Sequence, residues 1–353
     1  MIQSSRDLSR RRLLLGGAAL GAGTLLTACT SNESKAPDAQ IKPAEGGASA
    51  GNAAPGAKVV IGFSAPAADH GWIGAITSNA KAQAAAYSDV EFKSVEAGAD
   101  AAAQRAALST LIAQKPNVIV LLPHDGKELN AFGLEAMAAG IPVVNLDRAF
   151  PDARAYRTQI KGDNYGMGVA AATYIIAQMK AKGVSSPIIG EIPGIDSLEL
   201  TQERSKGFAD TLSAAGFTVQ RRVPAEFTVD TGQRAASQLL QAVPRMDALW
   251  NHDDDQGIGV LAAANQAGRT EFVMVGGAGS KKAMEDIQAD KSPLKATVTY
   301  SPSMASSAIS LARLIGQGKG MADLVELQVP KEIVLASETI TKENASTYLK
   351  LGF

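Results

Sequence analysis

The chain has 353 residues, with 34 Lys and Arg against 35 Asp and Glu and a formal net charge of -1. That balance argues against nucleic acid or an anionic membrane surface as the partner of the bulk charge. A content of 46% hydrophobic and 20% charged residues is that of a soluble globular protein long enough for two domains. Aromatic residues make up only 5%, so an aromatic side chain in a loop carries more information than usual.

Residues 1–28 read as a lipoprotein signal peptide. Ser9-Arg10-Arg11-Arg12-Leu13-Leu14-Leu15 resembles a twin-arginine export motif and opens a Gly/Ala-rich apolar run too short for a comfortable spanning helix. The run ends in Leu26-Thr27-Ala28-Cys29, which resembles a bacterial lipobox. Cys29 is the only cysteine, so no intrachain disulfide forms. Lipidation gives that thiol a use, as membrane anchor and mature N-terminus on the outer face of the cytoplasmic membrane, periplasmic or cell-surface. An uncleaved anchor, or an ordinary signal with a chance cysteine, is the alternative. Residues 29–57 are dense in Ser, Ala, Gly, Pro, Asn and Lys, cannot bury enough apolar surface to offset ordering entropy, and read as a disordered tether.

The body opens with an apolar strand, Val59-Val60-Ile61-Gly62-Phe63, of the kind buried on both faces of a parallel sheet. A loop follows whose tip carries an acid, an imidazole and an indole: Asp69, His70 and Trp72. From Trp72 the apolar spacing predicts a helix. Strands are expected at 89–95, 118–122 and 141–146, with helices at 101–114 and 127–139 between them. The strand ends carry His124 and the pair Asp147-Arg148. A second series repeats the pattern. Helices are expected at 165–182, 201–215, 231–243, 257–267, 281–289 and 303–316, with strands at 187–192, 218–223, 248–250, 272–275, 295–300 and 332–336. Strands alternating with helices of this length mean parallel βαβ units. Two such α/β lobes in tandem set their carboxyl-edge loops face to face across a cleft.

Several residues read two ways at this stage. Trp72 starts an apolar helix face and is equally a core residue. His70 and His124 serve a ligand or cap a helix. His252-Asp253-Asp254-Asp255 invites a metal reading, but strand neighbours face opposite ways and the chain has 3 histidines, so no metal is expected. Asp254 and Asp255 also suit helix capping. Gly166-Met167-Gly168-Val169-Ala170-Ala171 imitates a dinucleotide fingerprint, yet small residues there also let a helix pack closely. No phosphate loop and no G-x-S-x-G elbow occurs in the sequence. No cofactor is expected.

In this order, the residues resemble the sugar-binding type of periplasmic binding protein, the group that includes ribose- and galactose-binding proteins. The landmarks are Gly62-Phe63-Ser64, Val143-Val144-Asn145-Leu146-Asp147-Arg148, Gly162-Asp163-Asn164-Tyr165, Gln202-Glu203-Arg204-Ser205-Lys206-Gly207-Phe208, His252-Asp253-Asp254 and Val275-Gly276-Gly277. The resemblance implies two doubly wound parallel-sheet lobes joined by a three-crossing hinge: 58–162 with 301–328, and 163–300 with 329–353. It implies a monosaccharide or sugar alcohol in the cleft, no catalysis, a monomer, and an ABC permease with its ATPase as recipient. It also implies ligand contacts from Asp147 and Arg148, beside Asp69, His70 and Trp72, and from Arg204, Phe227 and Asp253, with Tyr300 where a glutamine near a hinge crossing is usual. Where the family commonly has an aspartate, this chain has Ala278; either a hydroxyl acceptor is missing or Tyr300 and Asp254 cover the need. The rival expectations are an exported α/β enzyme using the 252–255 cluster and a sugar-sensing receptor of the same fold. A sugar-responsive repressor would need a basic helix-turn-helix where this chain has its lipobox.

Overall fold

The computed structural model describes residues 52, 54–98, 100–321 and 328–353. The expected signal peptide, Cys29 and the tether up to residue 51 lie outside the described residues.

The chain alternates strand and helix through β1 (Val59–Ala65), α1 (Gly71–Ala85), β2 (Val90–Glu96), α2 (Ala101–Ala113), β3 (Val118–Leu121), α3 (Gly126–Ala138), β4 (Val143–Leu146) and β5 (Thr158–Gly162). It continues with α4 (Asn164–Ala181), β6 (Ile189–Ile192), α5 (Glu199–Ala214), β7 (Val219–Arg222), α6 (Val229–Ala242), β8 (Ala248–Asn251), α7 (Asp254–Gln266), β9 (Val273–Ala278), α8 (Lys281–Ala289) and β10 (Leu294–Thr299). Helix α9 (Met304–Gly316), strands β11 (Glu332–Leu335) and β12 (Thr339–Thr341) and helix α10 (Ala345–Tyr348) complete it. Two six-stranded sheets result, ordered β11-β5-β4-β3-β1-β2 and β12-β10-β9-β8-β6-β7. Every pairing is parallel except β10 with β12.

Strands β3 and β4 are buried at every position because helices cover both faces of a parallel sheet. On one face of the first sheet Ile119, Leu121 and Val143 pack with Leu108 and Phe132. On the other, Val120 and Val144 join a cluster that runs through Met304 and Ile309 into Val275, Val298 and Trp250 of the second sheet. One continuous apolar core therefore backs both lobes on the hinge side.

The chain passes between the sheets after β5, after β10 and between β11 and β12. The last crossing differs from expectation. Residues 329–353 do not all join the second lobe, because β11 pairs with β5 in register Glu332↔Gln159 to Leu335↔Gly162. Its side chains alternate between exposed and half-buried, an edge-strand pattern that fits either sheet. Strand β5 was not expected. Its residues, Thr-Gln-Ile-Lys-Gly, are mostly polar, and the ladders to β4 and β11 make it a strand. Strand β9 runs on through Gly276 and Gly277, expected as loop, because β10 pairs with them.

The tether also ends earlier than expected. Arg313 donates to the carbonyls of Asn52 (2.6 Å) and Ala54 (2.9 Å), Gly56 N–H donates to Asp89 Oδ2 at 2.6 Å, and Gln317 donates to Ala57 O at 2.9 Å. These backbone groups belong to the folded body, held on a buried Arg313–Asp89 ion pair. Among the described residues no helix is long and apolar enough to cross a membrane.

Candidate ligand-binding site

The site is built where parallel strands end. Strand β4 delivers Asp147 and Arg148 into a turn held from beneath. The Asn145 amide donates to Arg148 O at 3.1 Å, and its Oδ1 accepts from Phe150 N and Gln159 Nε2, each at 3.1 Å. That turn puts Asp147 at φ 64, a left-handed conformation that a short polar side chain tolerates. Strand β10 delivers Tyr300, whose hydroxyl donates to Asp147 Oδ1. The Tyr300 ring fits because residue 162 is glycine: a Cβ there would sit 2.1 Å from the ring. Phe227, at φ 65, is placed by its N–H donating to Gln256 Oε1 at 3.0 Å. Its ring lies over Gly194, where a Cβ would come within 1.9 Å.

Between the two lobes these side chains enclose a cavity lined by His70, Trp72, Asp147, Arg148, Leu200, Arg204, Phe227, Asp253, Ala278 and Tyr300. Its free centre is about 30 Å³, and about 340 Å³ with its crevices and mouth. The Arg204 guanidinium stands 4.4 Å from the Tyr300 ring centre and 5.9 Å from that of Phe227, a cation–π arrangement that holds the charge at a desolvated wall. Arg204 Nε donates to Asn164 Oδ1 at 2.9 Å. Arg148 is 8% exposed, donates through Nη1 to the His124 carbonyl, and has a buried Nε with no hydrogen-bond partner. An unpaired buried N–H of a guanidinium is a group waiting for an acceptor. The Trp72 indole donates to Tyr300 O at 2.8 Å, its ring 5.7 Å from that of Tyr300.

Electrostatics follow from burial. Burial, then the neighbouring Asp147 charge, pushes the Tyr300 hydroxyl far above its usual range. Burial pulls Arg148 down against the acids around it, and pushes Asp253 up to about 6. Burial alone would lower His70, but its 2.5 Å bond to Asp69 and the charges of Asp253 and Asp255 raise it. The His70 ring stacks on Phe227 across the cleft at 6.0 Å.

Eight of the ten expected side chains converge on the cavity; Asp69 and His124 do not line it. Asp69 is an exposed partner of His70. The main chain of His124 does its work, accepting from Arg148 and donating to Gln104 Oε1 at 2.6 Å. Leu200 was missed. It lies four residues before Arg204 on α5, hence on the same helix face, and that spacing was the available signal. Ala278 lines the cavity at φ 88, so the acceptor expected there is absent. Asp254 does not replace it, because its carboxylate accepts from Gly277 N (3.0 Å), Ser280 N (2.7 Å) and the Thr297 hydroxyl (2.9 Å).

The 252–255 cluster does not form one reaction centre. His252 is fully buried, bonds Glu191 at 3.0 Å, and burial pushes it down to about 4. Asp253, not Asp254 or Asp255, caps α7, and Asp255 bonds Gly71. Among the described residues no group of three or more His, Cys, Asp or Glu could hold a metal ion.

A cleft between two parallel-sheet lobes, walled by guanidiniums, carboxylates and aromatic rings, defines a two-lobed binding protein. The periplasmic binding protein domain matches residues 61–320, and the chain belongs to that family. It is 29% identical over 210 residues to a ribose import binding protein of Bacillus subtilis, an alignment covering 60% of this chain and 66% of that protein. The chain thus spans just under two thirds of that relative's length. Among known structures, an ABC transporter solute-binding protein from Mycobacterium smegmatis with bound glycerol is 26% identical at a TM-score of 0.74, covering 83% of this chain and 97% of the other. The arabinose-transporter binding protein of Shewanella sp. ANA-3, bound to L-arabinofuranose, superposes at a TM-score of 0.74 with 22% identity, covering 82% of this chain and 94% of the other. That last likeness shows the fold.

Proposed function

We propose that this protein is the solute-binding component of an ABC transporter. It captures a monosaccharide or sugar alcohol between its lobes and presents it to a membrane permease and its ATPase. The observation that carries this reading is the meeting of Arg148 and Arg204, with Asp147 and three aromatic rings, in one cavity between the lobes. Ligand hydroxyls take charge-assisted hydrogen bonds from the planar forks, and Trp72, Phe227 and Tyr300 cover C–H faces and exclude water. Asp147 and Asp253 stand against Arg148 and Arg204, and His70 is paired with Asp69 beside the cavity, a balance of charge that suits an uncharged polyol. The relatives named for ribose and glycerol support the same class. The alanine at 278, which leaves the cavity one hydroxyl acceptor short, favours a pentose or linear polyol over a hexose. The protein acts as a monomer, anchored by lipid on Cys29, and catalyses nothing.

Ligand groups that bridge both lobes favour the closed form over the open one and shift the population toward it; periplasmic binding proteins are a standing example of such hinge closure. A thermal-shift screen of pentoses, hexoses and polyols identifies the ligand, because a compound that binds only the folded state raises the melting point. Titration calorimetry then tests the site. Arg148→Ala and Asp147→Ala each remove one partner of a buried polar contact and are expected to weaken binding by about 3 kcal/mol, roughly 100-fold or more, with the body still folded. Undiminished affinity in both would defeat the assignment.

A further inference from the structure

One contact across the cleft lies outside the cavity. Gly71 N–H, at the first residue of α1, donates to Asp255 Oδ2 at 2.7 Å. Asp255 sits in the first turn of α7 and does not line the cavity. Helix α1 has no cap of its own: His70 occupies the N-cap position but its side chain makes no capping hydrogen bond to the helix, and no acidic residue stands in its first turn. An α-helix leaves its first N–H groups unpaired and favours negative charge there. Asp255 therefore caps α1 from the opposite lobe. Residue 71 is suited to this approach, since a Cβ at Gly71 would stand 2.9 Å from Asp255 Oδ2. Its backbone is not in the left-handed region, so close approach, and not backbone conformation, is what calls for glycine. His70 and Trp72, the neighbours of Gly71, both line the cavity.

We propose that Asp255 is a closure latch: a positioning residue that never touches the ligand but stabilises the closed cleft by capping α1 across it. The proposal rests on the reading of the protein as a cleft-closing binding protein. Opening the cleft breaks this bond and uncaps α1. The latch lowers the ligand dissociation rate and holds His70 and Trp72 against Phe227 and Tyr300.

The test compares wild type, Asp255→Ala, Asp255→Asn and Gly71→Ala by small-angle scattering, in buffer and in D-ribose, L-arabinose or glycerol, with affinities for the same three compounds. Asp255→Ala is expected to shift scattering toward the open form and to weaken binding about 3- to 30-fold, the range of a lost helix cap, chiefly through faster dissociation. Asp255→Asn keeps an acceptor and is expected to retain most of the affinity, and Gly71→Ala to push the Asp255 carboxylate off the α1 N–H and so release the bond. Scattering of Asp255→Ala and Gly71→Ala indistinguishable from wild type in every condition overturns the latch. If wild type binds none of the three compounds, the functional reading loses its support, while the scattering comparison still decides the latch.

Discussion

Three residues of the cavity wall, Asp147, Phe227 and Ala278, have positive φ without being glycine. Such backbone persists only where its surroundings over-determine it, and it concentrates at ligand clamps. Here the surroundings are visible: the Asn145 hydrogen bonds under Asp147, the Gln256 bond to Phe227, and the bond from Tyr300 N to Ala278 O at 3.0 Å. Buried acids beside the site make stability depend on pH. Burial pushes Asp254 up to about 8, with the Asp253 charge adding to it against three hydrogen-bond donors. A carboxyl raised above its unfolded value binds more protons folded than unfolded, so its contribution is full below about pH 4 and is lost as pH rises toward 8. Asp254→Asn is expected to be less stable at pH 5 by about 1–3 kcal/mol, because one donor loses its acceptor. Its stability should then fall less than that of wild type between pH 5 and 8, a slope difference of up to about 1.4 kcal/mol per pH unit. Urea denaturation at the two pH values measures both, and equal slopes would count against the raised carboxyl.

At the scale of the elements, placement comes from strand ends and helix caps. Side chains of Asp100, Asp125, Asp163, Asp253 and Ser280 cap α2, α3, α4, α7 and α8, each satisfying N–H groups that the helix cannot. Helices α1, α5, α6, α9 and α10 have no such side-chain cap, and α1 takes Asp255 of the other lobe in its place. Strand β5 matters through Gly162, the floor on which the Tyr300 ring rests. Gly162→Ala forces that ring aside. It is expected to cost about 1–3 kcal/mol of stability, the range for overpacking, and to disturb the Tyr300–Asp147 bond that spans the cavity. Calorimetric affinity and a melting curve check the two effects separately, and an unchanged affinity would show that the ring does not wall the ligand. Most helices and strands were legible from hydrophobic spacing and caps. Strands β5 and β12 and helix α10 were not, because short polar segments have no period and exist only through their ladders and docking.

Across the whole molecule, the two lobes share one apolar cluster, which reaches the cavity wall through Trp72, Ala278 and Tyr300. The N-terminal end of the body is fastened to the first lobe. Arg313 and Asp89 are 2% and 6% exposed and pair bidentately, and Arg313 also holds the carbonyls of Asn52 and Ala54. The Arg313 bond leads the causes that hold the Asp89 carboxyl well below the usual carboxylate range. Its stabilising effect is therefore present above about pH 4 and lost as pH falls below that. Arg313→Ala leaves Asp89 buried without its partner and is expected to cost about 3 kcal/mol, the low end for a broken buried pair. It should also free Asn52 and residues 54–57 to proteolysis. Urea midpoints and limited proteolysis read the two consequences, and a variant as stable and protected as wild type would contradict this fastening.

The tandem βαβ order, the family, and the strand-end residues Asp147, Arg148 and Tyr300 were legible in the sequence alone, because hydrophobic period and motif order are local and a parallel sheet always turns its strand ends to one edge; Arg204, on helix α5, was legible through the family resemblance. Only the tertiary structure decided which sheet took β11, that Asp254 serves the scaffold while Asp253 caps α7, that Leu200 lines the cavity, and that Asp255 reaches α1. Each of these depends on which groups meet across large separations in the chain, and a side chain's partner, unlike its period, is not written in its neighbours.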